Sequence, residues 1–367
     1  MRPDFVSNEQ IVRAARRSFA SGEWDYLVGG TESETTMRRN RAAFDRIAFR
    51  PRVLIDVSSV DPSVTFLGHR MRIPVMLAPI GSLHVFTPDG SVATAKAAAK
   101  FGTAQVVSSV SEHSPEEIAA STVGPKVFQL YVRGDWAWTE DIIARVKQAG
   151  YTALCVTVDS AHPSRRERVR MSDWSPPPTR NSTDQSYQAA LTWESIDRIK
   201  ELAGLPFMIK GVATAEDAAL AIEHGVDVIW VSNHGGRQLD HGLGTMDTLL
   251  EIVEAVAGRA DVVLDGGVQR GGDVLKALAL GATAVAIGKL QGWGLAAAGQ
   301  EGLVRVLEIL EDEFVSAMAL LGVQSADQIT PAHVCEAYAV IAPHEMSAWV
   351  NMPETGILNA PRGPSGM

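Results

Sequence analysis

The sequence predicts an α/β protein that folds as one (β/α)8 barrel, the TIM-barrel architecture, with an N-terminal helical segment and an extended C-terminal tail. Eight apolar runs among the 367 residues are too short to be helices, and amphipathic segments separate most of them. Strands that alternate with helices form a parallel sheet, and eight strands close it into a barrel. An open doubly wound sheet is the alternative, but no G-x-G-x-x-G motif follows the first strand, which counts against it.

The eight strands and six of the helices follow one another in order. The predicted strands are Val75–Ala78, Ala104–Val107, Val127–Tyr131, Ala153–Val158, Phe207–Lys210, Val228–Ser232, Val262–Asp265 and Ala284–Gly288. The predicted helices are Gly90–Phe101, Pro115–Thr122, Trp136–Ala149, Thr214–His224, Met246–Ala257 and Gly272–Leu280. We expect the barrel to cover about residues 70–325 of a single domain, residues 1–367, because α/β barrels of this length are often one domain.

The flanking segments have their own patterns. Asn8–Ala20 has helical spacing with a plausible cap at Ser7 or Asn8, and Thr35–Phe49 predicts a charged helix. Gly292–Leu321 predicts one or two closing helices, and Asp327–Ala339 predicts another. Residues 342–367 are rich in Pro, Gly and Asn, which predicts an extended arm or a disordered tail.

The longest irregular segment is Met171–Leu191, which contains three consecutive prolines, Pro176–Pro178. It follows the fourth predicted strand and should therefore lie over the carboxyl-terminal mouth of the barrel. We expect a mobile lid or binding loop over residues 171–191, and a disordered surface loop is an equal alternative.

The composition excludes several classes of function. A net charge of −10 argues against binding to nucleic acid or to a membrane surface. Two cysteines, Cys155 and Cys335, do not make a disulfide framework, and the N-terminus has no apolar signal region. These features predict a cytoplasmic protein in a reducing compartment.

The segment Ser232–Gln238, with the sequence Ser-Asn-His-Gly-Gly-Arg-Gln, follows the sixth strand and carries the strongest chemical signal. A base, His234, and a fixed cation, Arg237, suit a substrate that loses a proton and carries a negative charge. Gly235 and Gly236 let the backbone turn tightly and approach a ligand closely. A purely structural His-Gly-Gly turn is the alternative.

Small and polar residues also end the other strands, where the catalytic groups of such barrels lie. Asp265–Gly267 opens a helix after the seventh strand, and Gly288 and Lys289 open the next connection. Glycine-rich backbone, a helix N-terminus and a cation at these two ends form a phosphate site. The remaining ends supply Pro79, Ile80, Gly81, Ser108, Gln129, Thr157, Asp159 and Lys210. The residues alone therefore predict a phosphate-binding barrel with a histidine base.

These residues resemble the FMN-dependent α-hydroxy acid oxidase/dehydrogenase family, the group of glycolate oxidase, lactate oxidase and mandelate dehydrogenase. The resemblance runs from about Tyr26 to Leu321, and its most specific motif is the unchanged segment Ser232–Gln238. Other motifs match in order: Arg50–Arg52, Ala78–Pro79, Gln129–Tyr131, Thr157–Asp159, Arg165–Arg166, Lys210–Gly211 and Asp265–Gly267. The implied cofactor is FMN, and we expect no metal.

The resemblance implies a catalytic role for several residues. His234 would take the substrate's proton as electrons leave for the flavin, by hydride transfer or a carbanion route, and Asp159 would hold its imidazole. Tyr26 and Tyr131 would hydrogen-bond substrate oxygens. Arg166 and Arg237 would bind the substrate carboxylate, because a guanidinium group binds a carboxylate through paired hydrogen bonds.

The resemblance also implies the cofactor contacts. Lys210 would lie beside the flavin N1 and C2 carbonyl, where a cation stabilises the reduced ring. The other expected contacts are Ser108, Gln129 and Thr157 at the ring edge, Pro79, Ile80 and Gly81 on its other side, Asp265 at the ribityl hydroxyls, and Gly266, Gly267, Gln269, Gly288 and Lys289 at the phosphate. Ser232 is also expected to bind the cofactor.

Three positions depart from the family pattern. Gln269 and Lys289 stand where arginines are usual, so FMN would be held less tightly unless Arg270 compensates. Val110 stands where small-acid oxidases often carry a tryptophan or another bulky residue, which predicts a roomier substrate pocket.

The function that the resemblance implies is FMN-dependent oxidation of an (S)-2-hydroxy acid, with a bulky or aromatic side chain because of Val110. The electron acceptor would be oxygen or a quinone-type carrier, and the family habit is a homotetramer or homo-octamer. The alternative is an FMN barrel of altered activity, either isomerase-like or binding flavin without hydroxy-acid turnover.

Overall fold

The computed structural model describes residues 4–176, 185–339 and 346–349, and the fold is given for these. An N-terminal segment of three helices and three short strands precedes the barrel. Its helices are α1 Asn8–Ser18, α2 Ser21–Val28 and α3 Thr35–Asp45, and its strands are β1 Ile47–Phe49, β2 Val64–Phe66 and β3 His69–Met71. The side chain of Ser7 accepts a hydrogen bond from the Gln10 backbone and so caps α1.

Eight parallel strands form a closed barrel, in which each strand pairs with the next and β11 pairs with β4. They are β4 Val75–Leu77, β5 Gln105–Ser108, β6 Lys126–Leu130, β7 Ala153–Thr157, β8 Phe207–Val212, β9 Val228–Val231, β10 Asp261–Leu264 and β11 Ala284–Ile287. The predicted (β/α)8 barrel is therefore confirmed, and each predicted strand corresponds to one of the eight.

Helices surround the barrel: α4 Gly90–Phe101, α5 Pro115–Ala120, α6 Trp136–Gln148, α7 Glu167–Met171, α8 Ser186–Ala189, α9 Trp193–Ala203, α10 Ala215–Glu223, α11 Thr245–Val256, α12 Gly271–Ala279 and α13 Lys289–Leu321. The local sequence determines where several of these helices begin. At α5, Ser114 and Glu117 form a reciprocal capping box with Pro115 in the first turn. The helix α13 is interrupted at Ala298 and Gly299, whose backbone angles are not helical.

The core has two parts because alternate residues of a strand face opposite sides of the sheet. In β9, Val228 and Trp230 belong to the cluster inside the barrel. Ile229 and Val231 belong to the cluster between strands and helices. Cys155 is also inside the barrel and fully buried, where burial raises the pKa of its thiol to about 12, so it is an inert core residue.

Two helix predictions were wrong for one reason. The helix predicted over Thr35–Phe49 ends at Asp45, and Ile47–Phe49 instead pairs antiparallel with β12, Val334–Glu336. The predicted helix Asp327–Ala339 is accordingly two short 3-10 turns, Ala326–Gln328 and Pro331–His333, followed by that strand. Backbone pairing between segments far apart in the sequence outweighed local helix propensity.

The expected lid, residues 171–191, is only partly irregular. Residues 177–184 lie outside the described residues. At its end the segment forms α8, where the buried Gln188 donates to the Thr157 carbonyl at 2.7 Å and accepts from the Val132 backbone at 2.8 Å. Residues 186–189 are thus docked on the barrel.

Most of the predicted tail, residues 342–367, also lies outside the described residues. The described part, residues 346–349, contacts the barrel. Trp349 is buried and its ring lies edge-on to Trp293 with 5.7 Å between centroids. This short piece is therefore not a free arm. Among the described residues, no helix is long and apolar enough to cross a bilayer.

A buried ion pair joins the N-terminal segment to the barrel. Arg41 of α3 is only 3% exposed and donates to both carboxylate oxygens of Asp273 in α12, at 2.7 and 2.9 Å. Burial opposes the charge of Arg41, but Asp273 and Asp45 outweigh it and raise the Arg41 pKa. The same guanidinium donates to the Gly267 carbonyl at 2.9 Å. Arg41 therefore stabilises both the packing of α3 and the glycine turn after β10.

We predict that Arg41→Met lowers the free energy of unfolding by about 3–5 kcal/mol, because Asp273 would keep a buried charge without its partner. Urea unfolding followed by circular dichroism measures the change. The matched control is Arg38→Met, which removes an exposed arginine of the same helix and should change stability by about 0.5 kcal/mol or less. Equal unfolding curves for the two variants would contradict this account of the ion pair.

Candidate active site

One large cavity opens at the carboxyl-terminal end of the barrel. Its volume is about 520 Å³, a size typical of small-molecule and cofactor sites. Residues after seven of the eight strands line it, as the parallel topology requires. Those from the predicted set are Tyr26, Pro79, Ile80, Gly81, Ser108, Val110, Tyr131, Arg166, Lys210, His234, Arg237, Asp265, Gly266, Gly267, Gln269, Gly288 and Lys289.

The imidazole of His234 is held on both sides. Its Nδ1 lies 2.9 Å from Oδ1 of Asp159, and its Nε2 lies 3.4 Å from the Tyr131 hydroxyl. Burial lowers the pKa of His234, and the attraction of Asp159 does not offset this fully. Burial works to raise the pKa of Asp159, but His234 and Lys210 outweigh it and keep the carboxyl ionised. The site therefore holds a neutral imidazole against a carboxylate, which is the state a general base needs.

Two glycines allow this geometry. Gly236 has φ +74°, and a Cβ there would lie 2.5 Å from the Met37 backbone nitrogen of α3. Gly211 has φ +115°, and a Cβ there would lie 2.7 Å from Cβ of Asp159. Any side chain at these positions would displace α3 or the base's carboxylate. The loop is also tied to α3 by a reciprocal amide pair between Asn233 and Asn40, with distances of 2.7 and 2.9 Å.

Two guanidinium groups lie in the same cavity as His234. Arg237 donates to the Gly29 carbonyl at 2.6 Å, and its guanidinium is 5.4 Å from the centre of the Tyr26 ring. Burial and the neighbouring charge of Arg166 lower the pKa of Arg237. Arg166 donates to the Ser164 hydroxyl at 3.1 Å. Two close cations in a partly buried site favour an anion between them, and carboxylates match guanidinium geometry.

A third cation of the cavity, Lys210, is buried and has acidic partners within the protein. Lys210 is 3% exposed, donates to the Ser232 hydroxyl at 2.9 Å and lies 3.4 Å from the Asp265 carboxylate. Burial disfavours its charge, but Asp265 and Asp159 outweigh this and raise the Lys210 pKa. The lysine thus stays charged at neutral pH beside the cavity.

Four predicted residues lie beside the cavity instead of lining it: Gln129, Thr157 and Ser232 are buried, and Asp159 is partly buried. Gln129 and Thr157 have no exposed surface. The Gln129 Nε2 and Thr157 Oγ1 atoms have no hydrogen-bond partner in the described part of the chain, although the Gln129 Oε1 accepts from Ser108 at 3.1 Å. Buried polar atoms without partners are rare, and here they indicate the place of a bound polar group.

The predicted phosphate end contains the turn Gly266–Gly267 and the start of α12. Lys289 lines the cavity and donates to the Val28 carbonyl at 2.7 Å. Arg270 does not compensate for the missing arginines. Its side chain contacts Glu313 and donates to the Ala348 carbonyl at 3.1 Å, and Arg270 is not among the cavity residues.

A sequence profile of the FMN-dependent dehydrogenases matches residues 15–336. The chain belongs to this family. It is therefore an FMN-dependent oxidoreductase, and the predicted cofactor is confirmed. Peroxisomal (S)-2-hydroxyacid oxidase GLO3 of Arabidopsis thaliana is 40% identical over 348 residues, which cover 90% of this chain and 96% of that protein. L-lactate oxidase of a Nostoc species is 39% identical, with 86% of this chain and 94% of that protein covered.

Solved structures agree with this assignment. A crystal structure of mandelate oxidase has a TM-score of 0.86 and 37% identity, covering 92% of this chain and 100% of that one. A second, mandelate oxidase with (S)-4-hydroxymandelic acid, has a TM-score of 0.85 and 36% identity, covering 91% of this chain and 100% of that one.

The cavity of this FMN-dependent dehydrogenase family member fits its cofactor. The unpartnered donor of Gln129 and the hydroxyl of Thr157 suit the polar edge of a flavin ring, and the charged Lys210 suits a ring that gains negative charge on reduction. The glycine turn, the start of α12 and Lys289 suit the phosphate.

Some residues of the site gave no signal in the sequence. Asn40, which holds the His234 loop, comes from α3, and Gln188, which fixes the strand ends, comes from the segment expected to be a loop. Arg133 also lines the cavity. Its position two residues after a tyrosine of the family motif could have drawn attention to it. Among the described residues, no cluster of three or more His, Cys, Asp or Glu could hold a metal ion.

We predict that Lys289→Met raises the dissociation constant of FMN by about 10- to 100-fold, because Lys289 is expected to donate a charged hydrogen bond to the phosphate. Fluorescence of released FMN measures it. Lys289→Arg is the control, because it keeps the charge and should hold FMN at least as well as the native protein. Unchanged FMN affinity in Lys289→Met would show that the lysine does not contact the phosphate.

We also predict that kcat/KM is lost as the pH falls through the His234 pKa, with a midpoint below 6.5, because a protonated imidazole cannot accept a proton. Asp159→Asn removes the charge that raises this pKa. It should therefore move the acid limb to lower pH and reduce kcat/KM about 100-fold or more.

The control for this experiment is Asp197→Asn, which alters a surface pair in which Asp197 contacts Nδ1 of His224 at 2.9 Å. Its pH profile should match that of the native protein. An acid limb that stays in place in Asp159→Asn would contradict the assignment of His234 as the group that titrates.

Proposed function

We propose that the protein oxidises an (S)-2-hydroxy acid with a bulky or aromatic side chain to the 2-oxo acid. The observation that carries the proposal is the position of His234. Its Nδ1 is held by Asp159 while Nε2 faces the cavity beside Tyr131, and the guanidinium groups of Arg166 and Arg237 line the same cavity. A proton acceptor beside an anion site is what a 2-hydroxy carboxylate requires.

The proposed reaction assigns one task to each group. Arg166 and Arg237 bind the C1 carboxylate and so orient the hydroxyl on C2. His234 takes the hydroxyl proton at Nε2, and the ionised Asp159 stabilises the imidazolium that results. Bound FMN would supply the acceptor for the hydride that leaves C2. Tyr131, whose pKa is raised to about 12 by burial, stays protonated and donates to the substrate oxygen, and Tyr26 contacts the carboxylate.

The large side chain of the proposed substrate is inferred from Val110. This residue lines the cavity, and a Cβ on the neighbouring Gly81 would lie 3.3 Å from Cβ of Val110. Because valine is much smaller than tryptophan, it leaves room in the cavity that a large aromatic side chain at this position would occupy. Similarity to mandelate oxidase, solved with (S)-4-hydroxymandelic acid, supports an aromatic substrate. A cytoplasmic location, the tetramer or octamer and the acceptor, oxygen or a quinone-type carrier, stay predictions.

We predict that (S)-mandelate bleaches the flavin of the FMN-loaded protein under anaerobic conditions, and does so faster than L-lactate or glycolate. Stopped-flow absorbance measures the rates, and subsequent admission of air shows whether oxygen reoxidises the flavin. Val110→Trp should slow mandelate at least about 10-fold and spare glycolate, because overfilling a packed pocket destabilises binding of the larger acid.

The outcomes separate the hypotheses. A preference for glycolate in the native protein would remove the inference of a large pocket. A yellow protein that no 2-hydroxy acid bleaches would favour the alternative of an FMN barrel with altered activity.

A further inference from the structure

The active-site cavity is strongly cationic although the whole chain carries a net charge of −10. Seven arginine and lysine side chains line it, against one acidic lining residue among those described, Asp265. Most of these cations have an evident task. Arg41 pairs with Asp273, Lys210 with Asp265, and Lys289 lies at the phosphate end. Arg166 and Arg237 form the proposed carboxylate site. Two arginines remain, at positions 133 and 170.

Of the two, Arg133 is the one enclosed by the site. Arg170 is exposed at the mouth, whereas Arg133 is partly buried. Its Nε atom is buried without a hydrogen-bond partner, and within the described residues no carboxylate pairs with it. Burial lowers the pKa of Arg133, which reflects a guanidinium that has lost water without gaining an anion. A desolvated charge of this kind costs stability, so a ligand that neutralises it would bind favourably.

The position of Arg133 places it beyond the reacting groups. Its guanidinium lies 5.4 Å from the centre of the Tyr131 ring, and the hydroxyl of that ring lies 3.4 Å from Nε2 of His234. Arg133 follows β6, while Val110 follows the neighbouring strand β5, and both line the cavity. The cation is therefore at the side of the cavity where Val110 leaves room for the substrate's side chain.

We propose that Arg133 determines specificity by binding a second carboxylate at the far end of the substrate's side chain. The substrate class is then a 2-hydroxy acid with two carboxylates, one held by Arg166 and Arg237 and the other by Arg133. A second carboxylate supplies the negative charge and the acceptor atoms that the unpartnered Nε and the guanidinium lack. The inference rests on the proposed function and leaves its chemistry unchanged.

The test compares acids that differ only in that charge. (S)-2-Hydroxyglutarate is matched with its side-chain amide, and 4-carboxymandelate with 4-carbamoylmandelate, since a carboxamide has nearly the same size as a carboxylate. In the native holoenzyme we expect kcat/KM for the carboxylate to exceed that for the amide by about 10-fold or more in at least one pair. In Arg133→Met this ratio should fall to about one, while Arg133→Lys should keep part of it.

The matched control is Arg165→Met, which removes a cation near the mouth that is outside the cavity lining and is paired with Glu167 at 3.0 Å. Its ratio should stay within about 2-fold of the native value, because an exposed pair contributes little. Calorimetric titration of the oxidised holoenzyme with 2-oxoglutarate and its amide gives a second readout without turnover, and the dissociation constants should show the same change. Circular dichroism and flavin content verify that each variant is folded.

The outcomes distinguish this inference from the function on which it rests. If the native enzyme oxidises mandelate but shows no preference for either carboxylate, the second carboxylate site is wrong and the proposed function stands. A preference that survives in Arg133→Met, with folded protein, would show that another cation provides it. If no hydroxy acid of either kind bleaches the bound flavin, the proposed function itself is wrong.

Discussion

The site depends on the closure of the barrel, which is completed by the backbone hydrogen bonds between β11 and β4. Because these strands pair in parallel, with Val285 opposite Val75, the sheet has no free edge and all eight carboxyl ends meet at one rim. His234 and Asp159 are 75 residues apart in the chain, yet their side chains are hydrogen-bonded because β9 and β7 both end at that rim. The closed barrel thus brings these two side chains together from distant parts of the chain.

The cations that line the cavity fall into two groups, those with an acidic partner and those without one in the part of the chain that the structure describes. Lys210 pairs with Asp265 inside the protein and contributes a fixed charge to the cavity. Arg166, Arg237 and Arg133 have no carboxylate partner among the described residues and leave positive potential in the cavity. An acidic protein with a cationic cleft concentrates field at that cleft, which attracts anionic substrates. The uncompensated charges of the three arginines lower the stability of the free protein, as expected where a site binds an anionic ligand.

Local sequence patterns sufficed for the barrel and for the strand ends, because buried parallel strands are apolar and catalytic residues follow them directly. They failed for β1 and β12, whose pairing joins Ile47 to Glu336 across almost the whole chain. Other features depend on side-chain direction. The sequence allowed Arg270 to bind the phosphate, but in the structure its guanidinium pairs with Glu313. No sequence pattern singled out Arg133, whereas the structure shows that its buried Nε has no hydrogen-bond partner in the described part of the chain. Periodicity carries no information on either point.

The arrangement of cations around Tyr131 connects substrate size with catalysis. In the proposed function, His234 and the C1 carboxylate site would fix one end of the substrate, but a long side chain that is free at its other end could still rotate C2 away from the flavin. A second anchor at Arg133, which lies over the Tyr131 ring, would remove that freedom. Binding energy gained far from the reacting carbon would then serve to align it, which raises the rate as well as the affinity. In this arrangement the room left by Val110 and the charge of Arg133 act together, since a side chain must be large enough to reach the cation.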